Sequence, residues 1–100
     1  MKFLLNYELN DDDINRIVKA NDEAIIKNIE MNEKNVISVI EYFREIGVTA
    51  QAIKELFLHQ IGMFFRTKEE IKTVFDEYEI DSVTKSLNYD VNTVDLIEFN

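Results

Sequence analysis

Three runs of apolar residues at helical spacing fill the stretch from Val36 to Tyr78, and they narrow the fold class more than any other feature. Val36, Val39, Ile40, Phe43 and Ile46 form the first run. Ile53, Leu56 and Phe57 form the second, and Ile71, Val74, Phe75 and Tyr78 the third. Spacings of three and four put each set on one face of a helix, and that face must be buried on a neighbour. Gly47 ends the first run where a left-handed residue is wanted, because glycine takes that conformation without a Cβ clash. Thr49 opens the second run and Thr67 the third. Glu70 stands three residues after Thr67, the spacing of a capping box. An apolar knot, Ile61-Gly62-Met63-Phe64-Phe65, reads as a short kinked turn between the last two runs. The chain has no proline, so nothing forces a break inside these helices.

The flanks are less regular. Phe3, Leu5, Tyr7 and Leu9 alternate as in a strand, whereas Phe3, Leu4 and Tyr7 suit the last turns of a helix. Helix is preferred because the segment matches later ones. Asn10 is an N-cap with Asp11, Asp12 and Asp13 in the first turn, where carboxylates meet the positive end of the helix dipole. Ile14, Ile17 and Val18 give that helix its apolar face. Asn21-Asp22 is a turn, Ile25, Ile26 and Ile29 follow, and Asn32 offers a further start. Beyond Tyr78, Asp81 or Ser82 would cap a short helix carrying Val83 and Leu87, and residues 91–99 suit helix or strand.

One hundred residues suffice for one domain with a modest core. There is no cysteine, which excludes disulfides and thiolate chemistry and fits a cytoplasmic protein. The first residues lack the apolar length of a signal peptide, and no window reaches that of a membrane span. Net charge is −9 and uneven. Residues 1–47 carry six basic and ten acidic side chains, residues 48–72 four and three, and residues 73–100 Lys85 against seven acids. Such a surface repels phosphate backbones and membranes. Usage rich in Asn, Ile, Lys and Glu matches an AT-rich bacterium or its phage.

An internal repeat links the flanks to the centre. The segments 3–10, 42–49 and 74–81 share one pattern: an apolar pair, two mostly polar residues, Tyr or Ile, Glu or Gly, an aliphatic residue, then an N-cap type. Leu9, Val48 and Ile80 anchor it, 39 and 32 residues apart. Ile14, Ile17, Val18, Ile25 and Ile26 fall where Ile53, Leu56, Phe57, Phe64 and Phe65 stand in the next unit. The third copy is traceable to about Ser82. Over residues 3–81 the pattern resembles the mitochondrial transcription termination factor (mTERF) repeat. Phe43-Arg44-Glu45-Ile46-Gly47-Val48-Thr49 carries its first junction, Ile53, Leu56, Phe57 and Leu58 its second helix, and Met63-Phe64-Phe65 its leucine turn. The resemblance implies helix, helix, a short 3₁₀ turn and helix. The family's proline falls at Asp22 and Ile61, and its nucleic-acid binders use a basic concave face where this chain is acidic.

The expected fold is therefore all-α: a short mTERF-like helical-repeat stack or compact bundle of about five to six helices. Residues 1–100 form one domain, with units at 9–47 and 48–79 and partial units at 1–8 and 80–100. No catalytic set, cofactor motif or metal-ligand pattern is present. A calcium loop from Asp11 puts Arg16 and Asp22 where glycine and glutamate are needed, and one from Asn88 puts Thr93 and Phe99 there. His59, the lone histidine, has no Ser or Asp at a spacing that ties it to catalysis and reads as a surface or turn residue. A helix-turn-helix reading of Gly47 with Ile53 meets the bulky Phe43 where a small residue is usual. The expected function is non-enzymatic binding of another protein. Its surface would draw on Phe57, Leu58 and Met63, expected to be partly exposed, on Lys54, Arg66, Lys68 and Lys72, and on Asp76, Glu77 and Glu79. Ile97 and Phe99 would dock in a partner's groove or pack on the chain itself. Two alternatives stand beside this: a nucleic-acid-binding regulator using the Lys54–Lys72 region, and an acidic decoy that blocks a basic nucleic-acid-binding site.

Overall fold

The helical runs fold as the spacing requires. The computed structural model describes residues 1–99, and among them there are six α-helices, three 3₁₀ helices and no strand. The α-helices are α1 (Asp11–Ala20), α2 (Glu23–Met31), α3 (Glu33–Glu45), α4 (Ala50–His59), α5 (Lys68–Phe75) and α6 (Ile80–Tyr89). The 3₁₀ helices span Lys2–Tyr7, Ile61–Phe65 and Val91–Leu96. This is a finer division than the five to six helices expected. Both ambiguous ends are helical and take the tighter 3₁₀ form, which suits pieces this short. The radius of gyration is 12.7 Å, close to the roughly 13 Å of a compact chain of this size.

Side-chain caps mark the starts of α1, α4 and α5. Asn10 Oδ1 accepts from the Asp13 N–H at 2.8 Å, and Asp13 Oδ2 accepts from the Asn10 N–H at 3.0 Å, a complete capping box. Thr49 and Thr67 accept from the N–H groups of Ala52 and Glu70, each at 3.1 Å. The Glu70 side chain does not complete a box. The start of α6 is a correction: Glu79 is its N-cap, without a side-chain bond, in place of Asp81 or Ser82.

The Asp13 box gives a pH prediction. The N–H bond from Asn10 holds the Asp13 carboxyl below its ordinary value of 3.8. Burial opposes that shift, and Lys54, 3.4 Å away, supports it. The folded chain therefore binds this proton less tightly than the unfolded chain. The stabilisation is present above the ordinary aspartate pKa and is lost as pH falls through the lowered folded value. Asp13→Asn should lower the melting temperature at pH 7, with the gap closing as thermal scans move below pH 4. A constant gap would mean that the charge is irrelevant.

The end of α3 is a Schellman motif. Gly47 has φ 100°, the Val48 N–H bonds Phe43 O at 2.8 Å, and the Gly47 N–H bonds Arg44 O at 3.1 Å. Helix α6 clamps the same turn from outside. Asn88 Oδ1 accepts from the Thr49 N–H at 2.9 Å, Asn88 Nδ2 donates to Gly47 O at 3.1 Å, and the Thr84 hydroxyl donates to Ile46 O at 3.0 Å. Asn88→Ala removes two of these bonds at an exposed site, where water partly replaces them. The expected loss is about 1 kcal/mol by urea denaturation. No change in the midpoint would show that the clamp is idle.

The core is aromatic at its centre. Phe43 meets Phe64 edge-on at 6.0 Å and lies 6.1 and 6.3 Å from Tyr42 and Phe75, and Phe57 stacks on Phe64 at 3.9 Å. Aliphatic side chains from every α-helix surround them, Ile17, Ile29, Ile40, Ile53, Ile71 and Leu87 among them, all fully buried. Two asparagines tie elements together across this core. Asn21 Nδ2 donates to Ile17 O and Phe57 O, and Asn35 Nδ2 donates to Phe64 O and Arg66 O. These bonds satisfy carbonyls that the ends of α1 and α4 and the middle 3₁₀ turn leave open.

Candidate functional site

The ten residues expected to face a partner do not form one surface. Phe57 and Met63 are buried, which corrects their expected exposure. Phe57 lies flat on Phe64, and the middle 3₁₀ turn folds Met63 inward; Leu58 alone is half-exposed. The four basic residues are dispersed and mostly engaged. Lys54 pairs with Asp13 at 3.4 Å, and Lys72 pairs with Asp76 at 2.9 Å. The Arg66 guanidinium lies 4.3 Å from the centroid of the Phe99 ring, a cation–π geometry. The Asp76 bond raises the Lys72 pKa above its ordinary value. Asp76, Glu77 and Glu79 are all exposed on the turn between α5 and α6.

That turn borders an apolar groove. Helix α5 stops at Phe75, and the N–H groups of Glu77 and Tyr78 bond Val74 O and Phe75 O at 3.1 and 3.0 Å. Helical periodicity therefore no longer holds at Tyr78. Its ring, expected in the core, is 43% exposed. The C-terminal 3₁₀ helix buries Val91 and Val94, three apart on one side, and turns Leu96 outward at 81% exposure. Between these elements lies a groove of about 240 Å³, with Tyr78, Val83, Leu96 and Ile97 as its apolar lining and Glu79, Ser82, Ser86 and Thr93 as its polar lining. Glu79 is the one residue of the expected surface that lines it. Leu96 was legible in principle, because it falls off the stripe set by Val91 and Val94.

The tail packs on the chain itself. The Phe99 ring is 6.1 Å from that of Phe75, and Ile97 rests half-buried against the core. Phe65 is 43% exposed because the 3₁₀ turn carries Phe64 inward and its neighbour outward.

The cleft between α4 and α6 holds His59, which is exposed and pairs with Glu55 at 3.2 Å. No serine, threonine or cysteine lines that cleft. Among the described residues no group of three or more His, Cys, Asp or Glu is gathered as a metal site requires, and no helix is long and apolar enough to cross a membrane. Comparison with protein-family models, curated proteins and solved structures finds no match to this chain.

Proposed function

We propose that this chain is a non-enzymatic helical-repeat module of the mTERF kind that acts in the cytoplasm by binding another protein. The observation that carries the binding reading is a contrast of surfaces. Three of the four basic side chains in the single non-acidic region are engaged within the chain, while Tyr78, Tyr89 and Leu96 stand open near its C-terminal end.

Backbone geometry supports the repeat. Glu8 and Gly47, aligned by the sequence pattern, are the two described residues with positive φ, 69° and 100°. Each precedes a buried aliphatic residue, Leu9 or Val48, and then an N-cap whose side chain is bonded, Asn10 or Thr49. The order α3, α4, 3₁₀ recurs as α5, α6, 3₁₀, although in the third copy α6 begins at Ile80, two residues before the position aligned with Ala50, and Glu79 has φ −79° where Glu8 and Gly47 are positive.

A duplex-binding protein draws most of its affinity from unpaired cations on phosphates. No detectable binding to random DNA or RNA duplexes is therefore expected by mobility shift at low salt, whereas affinity purification from the source cell should recover a protein. Tight duplex binding, weakened by salt and by Lys68→Glu, would return the function to nucleic acid.

A further inference from the structure

We propose that the groove between the α5–α6 turn, α6 and the tail receives an amphipathic helix of another protein, one whose apolar stripe is bordered by lysine or arginine. The proposal rests on the protein-binding reading above and names its site and the chemistry of its partner.

The size of the groove points to side-chain anchors. At about 240 Å³ it lies below the roughly 300–1,000 Å³ usual for small-molecule pockets. Its lining is apolar at Tyr78, Val83, Leu96 and Ile97, which suits aliphatic side chains spaced at i, i+3 or i+4, and i+7 along a helix.

The rim sets the charge of the occupant. Glu79 lines the groove, and Glu77 and Glu98 are exposed and adjoin its lining residues Tyr78 and Ile97 in sequence; Asp95 belongs to a separate cleft, where its carboxylate accepts from Gln60 at 3.3 Å. Against the seven acids of residues 73–100 the only basic residue is Lys85. Apolar contact would thus be made beside Glu79 and within a stretch of net charge −6, which favours cationic flanks and speeds their encounter. A second copy of the chain is a poor occupant, since each copy brings a net charge of −9 and its residues 1–47 are also net acidic.

The test uses the full chain and a fluorescein-labelled Leu/Lys peptide with leucines at i, i+3, i+4 and i+7, read by fluorescence anisotropy. The control is a scrambled peptide of the same composition, which keeps the charge and loses the stripe. Leu96→Asp is expected to weaken binding of the ordered peptide at least tenfold. Met31→Asp, the same change at an exposed position on α2, should leave it within twofold. Unspecific attraction predicts the opposite sign for Leu96→Asp, because that variant gains a negative charge. Both substituted side chains are largely exposed, at 81% and 76%, so both variants should fold, and circular dichroism checks this.

Absence of binding, equal binding of the scrambled peptide, or equal effects of the two variants overturns the groove. A wild-type dimer in sedimentation that Leu96→Asp dissociates gives the groove to a second copy and overturns it too. A cellular protein partner still held by Leu96→Asp sinks the groove and leaves the protein-binding reading standing.

Discussion

Phe43→Ala is expected to cost about 3–5 kcal/mol, the range for emptying a buried phenylalanine site. Phe43 is fully buried on α3, and its ring touches three others, Tyr42, Phe64 and Phe75, contributed by α3, the middle 3₁₀ turn and α5. The site cannot easily collapse into the space. Phe64 is held by the stacked Phe57, and Asn35 bonds the carbonyl of Phe64. A domain of this size has about 5–15 kcal/mol in all, so the variant should be largely unfolded at moderate urea or on mild heating. Phe65→Ala, at a half-exposed neighbouring position on the same turn, should cost much less. Equal losses in the two variants, or an unchanged midpoint for Phe43→Ala, would show that the ring cluster is not the centre of the core.

Gly47→Ala is expected to cost about 1–2 kcal/mol, the strain of an L-residue in the left-handed region. The Schellman bonds require φ 100° at this position. A Cβ there would meet Thr84 Cγ2 at 3.4 Å, the same residue whose hydroxyl holds Ile46 O. That is an ordinary contact distance, so the cost comes from the backbone conformation at φ 100°. For a domain of this length each kcal/mol lowers the melting temperature by roughly 4–8 °C. A neutral result would mean that α3 continues through Gly47 and that the turn onto α4 lies elsewhere.

The helical class, the caps at Asn10, Thr49 and Thr67, and the left-handed stop at Gly47 are legible along the chain. Each of these depends on residues within a turn or two, and one residue type satisfies a backbone need there: a side-chain oxygen for an open N–H, or a missing Cβ where φ is positive. Spacing of three and four also assigns most of the core, because it marks one side of a helix. What happens where helices stop depends on packing between distant segments. Periodicity carried past Phe75 placed Tyr78 in the core, and it could not tell Phe64 from Phe65 or assign Met63 to the interior, whereas the stripe that does contain Phe57 is buried, against the expectation that this ring is partly exposed. The bonds of Asn21, Asn35 and Asn88 to carbonyls and an N–H of distant turns leave no local signature, since their partners lie 29–41 residues away. The groove arises the same way. Along the chain Tyr78 belongs to a buried stripe and Leu96 to an irregular tail, and only the packing of the tail against α6 brings both to one apolar cleft beside Glu79.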